Sequence, residues 1–272
     1  MRYYRLAVLA ALTLAGAACA RPHTDDNAFD WAQQLAPGAI VHLRNGNGKI
    51  DVRAVNAPSA HVHAMTHWRR GRASDIHFTV TNVDGREYYV CAMWRASGEC
   101  GETGYRGAAR HWSILSIFSL FHHGTDATAD LVADLPANVV VDAQTGNGAV
   151  TLDGASDGVR ARATNGTVFA THVAGPVHLH TVNGEIRLSA DSLAPTDSVD
   201  LSTVNGMIQA QLPQQTDGEW DLRVTNGVVK SDFPLPSESS RRGTRHLSGQ
   251  IGTSTRPIDM RAVNGMIEVK RK

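Results

Sequence analysis

Little in this 272-residue chain can build an aromatic core: tryptophan, tyrosine and phenylalanine make up 6% of it, against 42% hydrophobic residues. An interior of that composition has to be assembled from small and aliphatic side chains. Charge of one sign is not in excess either, since 26 basic residues balance 26 acidic ones, and a basic footprint for nucleic acid is not expected. Catalytic signatures are missing too, with no G-x-S-x-G, no H-E-x-x-H and no P-loop. The Gly-rich NGNG at 45–48 follows no βαβ pattern and reads as a turn. The apolar runs in the first twenty residues and at 111–121 are both too short for a resident membrane-spanning helix.

Residues 1–20 read as an export signal: Arg2 and Arg5 precede LAVLAALTLAGAA, and small residues follow. Two processing routes compete. Cleavage before Cys19 (signal 1–18) would leave a lipid-modified cysteine, although Gly16 stands where a lipobox usually has Leu. Cleavage after Ala20 would use Ala18-Cys19-Ala20 as an Ala-x-Ala site. Either route takes the chain out of the cytoplasm, to the periplasm, a lipid-anchored outer-membrane position or the cell surface of a Gram-negative bacterium. Cys91 and Cys100 then remain as an even pair, and a disulfide is expected. Closing so short a loop is worth about 2.5–3 kcal/mol in the chain-entropy model.

What is abundant is one phrase. Asn-Gly pairs stand at Asn47-Gly48, Asn147-Gly148, Asn165-Gly166, Asn183-Gly184, Asn205-Gly206, Asn226-Gly227 and Asn264-Gly265. From Asn147 the asparagines are 18, 18, 22, 21 and 38 residues apart. Apolar or small residues recur two, four and six places before the Asn and three and five places after it: Thr203, Leu201 and Val199, then Ile208 and Ala210. Both flanks therefore read as strands with one face inward, and the phase slips by one residue at the turn. An antiparallel meander and a stacked solenoid both fit a period near twenty; the constant turn residue, constant phase and small inward residues favour the solenoid. Asn-Gly is read here as a turn that tolerates positive φ, with the aligned amides able to ladder from coil to coil. The 38-residue gap is expected to hide a degenerate coil at HLSGQIG (246–252), and Lys270-Arg271-Lys272 to guard the edge of the last strand.

Several phrases carry a resemblance: G-x-I-x-V at 48–52, D-L-P-A-N at 134–138, the repeated T-V-N-G-x-I and L-S-G-Q-I-G at 247–252. On these the chain resembles the putative-adhesin family of bacterial β-strand-repeat envelope proteins, a family largely without assigned function. The likeness covers about 36–93 and 128–270. It implies an all-β, single-stranded β-solenoid (β-helix) of roughly 18–22-residue coils outside the cytoplasm, and it brings no catalytic residues. The organisation expected is a leader (1–20), a linker or N-terminal cap (21–35), first coils (36–93), an insertion (94–127) and the main solenoid (128–272). In the insertion Trp112, Leu115, Phe118 and Phe121 recur at helical spacing. They read either as a cover over the solenoid or as a contact for a partner or membrane surface.

Residues five and three before each Asn point outward: Arg160 and Arg162, His178 and His180, Asp200 and Ser202, Asp221 and Arg223. Asp200 beside Asp221 is the one pairing with an acid–base or cation-binding geometry, and Arg223 is placed to neutralise it. His42, His61, His63, His178 and His180 also fall outward and read as solvated; the i,i+2 pairs could chelate a metal, but no further ligand stands at fixed spacing. The reading is a non-catalytic envelope module for binding, adhesion or structure, with no cofactor or metal; its partner is left unknown, an envelope protein or glycan being the candidates, and the membrane is reached only through a lipid anchor if Cys19 is modified. The competing classes are an accessory factor acting through 111–121 and a carbohydrate-active β-helix enzyme.

Overall fold

A computed structural model describes residues 23–94, 99–101, 104–106, 126–241 and 243–272. Residues 1–20, read above as an export signal and including Cys19, and the apolar residues Trp112, Leu115, Phe118 and Phe121 lie outside the described residues. In chain order the strands are β1 (His23–Gln34), β2 (Ile40–Asn47), β3 (Ile50–Val55), β4 (Ser59–Trp68), β5 (His77–Val83), β6 (Glu87–Met93), β7 (Glu99–Gly101) and β8 (Gly104–Arg106). There follow β9 (Thr128–Pro136), β10 (Val140–Asn147), β11 (Val150–Asp153), β12 (Val159–Asn165), β13 (Val168–Ala174), β14 (Val177–Asn183) and β15 (Ile186–Ser192). The chain closes with β16 (Val199–Leu212), β17 (Gly218–Ser231), β18 (Ser237–Arg241), β19 (Thr244–Ile251) and β20 (Pro257–Arg271).

Each coil contributes one strand before its Asn and one after it, and these build two parallel faces. On the first, β2, β10, β12, β14 and the leading half of β16 pair in that order; on the second, β3, β11, β13, β15 and the trailing half of β16 do the same. Register follows the phrase throughout, Asn47 opposite Asn147, Asn147 opposite Asn165, and so on to Asn205. Alternation decides what is inside: Val177, Leu179 and Thr181 are buried while His178 and His180 between them are not. The chain is thus a β-solenoid whose thin core is mostly Val, Leu, Ile and Ala.

The stacking order departs from the order of the sequence. The coil of Asn264 does not follow that of Asn226; β20 lies between β16 and β17, pairing in parallel with both over nearly its full length. The expected degenerate coil at 246–252 is instead β19, antiparallel to β17, with β18 antiparallel beyond it. The first coil is enclosed in the same way, β2 lying between β6 and β10 and β3 between β9 and β11. Since every coil offers the same register, sequence period alone cannot rank them. Bulk can: the position filled by Val177, Val199 or Ile258 elsewhere is Trp220 in β17, and at the end of the stack its ring leans on Phe233 at 4.6 Å between centroids. Arg256, just before β20, holds the inserted strand in place. It donates to the carbonyls of Leu193, Ala194 and Asp217 and to the Asp217 carboxylate, and is 5% exposed. Being interior, β20 has no edge for its basic tail to guard: Lys272 pairs with Asp191, Lys270 with Glu268, and Arg271 lies over Phe233.

Paired aromatic rings gather at the ends, while Phe169 stands in β13 under Arg187. Trp220 and Phe233 close one, and Phe29 on Phe78 with Trp31 against Tyr88 close the other, where β1, read from sequence as a linker or cap, is antiparallel to β4. Cys91 and Cys100 are joined in a disulfide that ties β6 to β7.

Candidate functional site

The Asn-Gly phrase serves the stack in a way that its sequence disguises. Among the repeat glycines, Gly48, Gly148, Gly227 and Gly265 have positive φ (130°, 135°, 154° and 155°), but Gly166, Gly184 and Gly206 do not, and none of the asparagines does. What all seven share is contact: a Cβ on Gly206 would lie 1.8 Å from the carbonyl oxygen of Gly184, and one on Gly184 1.9 Å from that of Gly166. Glycine is required because the next coil passes through the space of a side chain. Asparagine is required for the amide ladder. Asn165 donates to Asn147, Asn183 to Asn165, Asn205 to Asn183, Asn264 to Asn205 and Asn226 to Asn264, at 2.8–2.9 Å. Thr145, Thr181 and Thr203 donate to the glycine carbonyls of the coil before. The repeat turns are therefore structural.

This rigid stack displays two outward rows on its first face. Across paired strands one row reads Tyr89, His42, Asp142, Arg160, His178, Asp200, Asp259 and Asp221. The other reads Cys91, Arg44, Gln144, Arg162, His180, Ser202, Arg261 and Arg223, with neighbours about 5 Å apart.

At the β6 end the row is covered. His42, Arg44 and Asp142 are 7%, 3% and 5% exposed, contrary to the reading of His42 as solvated. Outward in the pleat is not the same as exposed. Asp142 Oδ2 accepts from His42 Nδ1 at 2.8 Å and from Arg44 Nη2 at 2.6 Å, and Tyr89 stacks on the imidazole at 4.1 Å. Burial pushes the Asp142 carboxyl up, but the His42 hydrogen bond and the Arg44 charge outweigh it and hold the group well below the usual carboxylate range. A His–Asp pair of this kind could orient a general base. Here the second nitrogen, Nε2, lies 3.7 Å from Glu87, and among the described residues no hydroxyl or thiol hydrogen-bonds to the ring.

The middle of the row is open. Arg160, Arg162, His178, His180, Asp200 and Ser202 line a shallow depression of about 550 Å³. Burial, reinforced by Arg160 and Arg162 and opposed by Asp200, lowers the pKa of His178; burial and Arg162 do the same for His180. The shift favours the neutral form of both rings. His180 Nδ1 meets Ser202 Oγ at 2.8 Å, and His178 Nε2 meets Ser198 Oγ at 3.3 Å.

At the β17 end the carboxylates are neutralised. Asp221 and Asp200 are not neighbours, because the inserted β20 places Asp259 between them. Asp221 pairs with Arg223 at 3.3 Å and His246 at 3.2 Å, and Asp259 with Arg261 at 3.1 Å. No acid–base pair is assembled there. Asp259 and His246 escaped the sequence reading because they become neighbours of Asp221 only through the inserted β20 and the antiparallel β19. On β4, which continues the second face through β9, His61 is bonded to Asp30 at 2.9 Å, with His63 tilted 6.4 Å from it between ring centroids. Among the described residues no group of three or more His, Cys, Asp or Glu is placed to hold a metal ion, and no helix is long and apolar enough to cross a membrane.

Stacked parallel coils, laddered asparagines and a smooth polar face define a β-solenoid repeat protein. The family model described as Toastrack DUF4097 matches residues 125–270, more than half of the chain, and the chain belongs to that family. Two solved structures are similar to it over most of its length. One, a putative cell adhesion protein from Clostridium sporogenes, is 10% identical, covers 93% of this chain and 100% of its own, and has a TM-score of 0.43. The other, a putative adhesin from Bacteroides fragilis, is 9% identical, covers 90% and 96%, and has a TM-score of 0.40. No curated protein matches the chain in sequence.

Proposed function

We propose that this protein is an exported, non-catalytic binding module of the bacterial envelope, adhesin-like in the sense that a rigid solenoid displays a fixed array of polar side chains. The observation that carries the reading is the open stretch of the first face, where six outward side chains line a depression over coils locked by the amide ladder. Such a surface recognises by position and needs no moving parts. Among the described residues the one buried His–Asp pair has no nucleophile bonded to its ring, and the carboxylates beyond the open stretch toward β17 are separated or paired. Export rests on the leader at 1–20, with Cys19 as the lipidation candidate.

The full chain expressed in a Gram-negative host, with a Cys19→Ser control, is fractionated and its intact mass measured. The expected result is an envelope protein either acylated at Cys19 or beginning at Arg21. An intact Met1 and a cytoplasmic location would sink the export reading. Polysaccharide turnover that disappears in Asp200→Asn would sink the non-catalytic one.

A further inference from the structure

Arginines at the two outward positions of a coil normally find a carboxylate in this protein. Arg44 has Asp142, Arg223 has Asp221 and Arg261 has Asp259. Arg160 and Arg162 hold the same two positions in β12, yet among the described residues neither makes an ion pair. The register partner of Arg160 on the β10 side is Asp142, whose carboxylate is already taken by His42 and Arg44. On the other side both arginines face histidines, not carboxylates. Two exposed guanidinium groups thus stand side by side at the rim of the depression, with no carboxylate at ion-pairing distance among the described residues.

We infer that Arg160 and Arg162, with His178 and His180, hold the anionic substituent of an acidic saccharide. Residues i and i+2 on one face of a strand are about 6.8 Å apart, so both guanidinium forks can reach a single oxyanion between them. Each histidine spends one ring nitrogen on a serine hydroxyl and has the other for a sugar hydroxyl. Asp200 and Ser202 extend the row with acceptors one strand further on. The same row argues against a uniformly charged partner. A nucleic-acid backbone or an anionic bilayer laid along it would meet Asp200, one strand beyond His178 and in no ion pair among the described residues. A saccharide carrying one anionic group among hydroxyls avoids that conflict. Insertion into lipid is also disfavoured, because the only apolar residue lining the depression, Leu179, points inward and is 1% exposed.

This inference rests on the reading of the protein as a binding module, and the test separates the two. Titration calorimetry is run on the full chain with trigalacturonate, a chondroitin sulfate hexasaccharide, neutral maltohexaose and inorganic phosphate. At least one acidic oligosaccharide is expected to bind, about tenfold or more tighter than maltohexaose. Binding should weaken as salt is raised. Arg160→Gln with Arg162→Gln should lose about tenfold at an unchanged melting temperature, and the Lys double variant should keep part of the affinity. Arg261→Gln, at a paired position, should bind as the wild type does. Undiminished binding by the Gln double variant would overturn the site, as would phosphate binding as tightly as the oligosaccharides, while either result leaves the binding-module reading standing. Binding of no probe, together with no retention on purified envelope fractions, would overturn both.

Discussion

The middle coils and the two ends of this solenoid are built on different rules. From β10 to the leading half of β16 each coil repeats the last: Asn on Asn, Gly against Gly carbonyl, a threonine hydroxyl on that carbonyl in most coils, and Val, Leu or Ala inward. At the ends the chain inserts a coil out of order, turns antiparallel and spends its aromatic rings. The middle is specified by contacts that every coil can make with any other. The ends are specified by features that only one coil has. A repeat protein thus acquires a defined length and order from its irregular residues.

The sharpest break of that contrast is at glycine. Gly206→Ala places a methyl group 1.8 Å from the Gly184 carbonyl in a stack that cannot spread locally, and a loss of at least about 3 kcal/mol is expected in urea unfolding. Gly85→Ala, in the β5–β6 turn with φ of 67° and open space around it, should cost only about 1 kcal/mol. Equal effects would mean that the coils can separate. Next comes the lock on the inserted strand. Arg256→Ala leaves the carbonyls of Leu193, Ala194 and Asp217 without their donor, and about 2–4 kcal/mol should be lost. Hydrogen exchange should rise first in β20 and β17; a rise confined to β10–β14 would contradict the clamp. The ladder is weaker. Asn205→Ala breaks two amide bonds in its interior and should cost about 1–2 kcal/mol, whereas Asn226→Ala breaks one at its end and should cost about half as much.

The smallest effects are in pH. Because the fold holds the Asp142 carboxyl below its ordinary value of 3.8, this group's stabilisation is present above the unfolded pKa and fades as pH falls through it. Asp142→Asn should flatten that acid limb of a stability–pH curve. His178 and His180 act in a different window. Their folded pKa values are lowered from 6.5, so the unfolded chain takes up protons first, and stability declines as pH drops below 6.5. His178→Gln with His180→Gln should remove that decline; an unchanged slope between pH 6.5 and 5 would show that other groups cause it.

Much of this was legible in the residues. Val177, Leu179 and Thr181 announce their inward face by alternation, because pleating makes side-chain direction a property of one strand alone. The open row at Arg160, Arg162, His178 and His180 was legible for the same reason. Hidden were the neighbours that depend on which strand lies beside which. Nothing in HLSGQIG distinguishes a poor coil from an antiparallel strand, and nothing local to His42 tells that Asp142, a hundred residues away, arrives with Arg44 to bury it.

The sequence by itself determined where each coil turns, which side chains face inward and how coils align, since all three are set by a short phrase and a period of two. Only the tertiary structure decided the order of the coils, the burial of His42, Arg44 and Asp142, and the true demand for glycine. Those depend on competition between nearly identical strand edges. It is settled by where one tryptophan fits, what one arginine can reach and how closely one backbone can pass another.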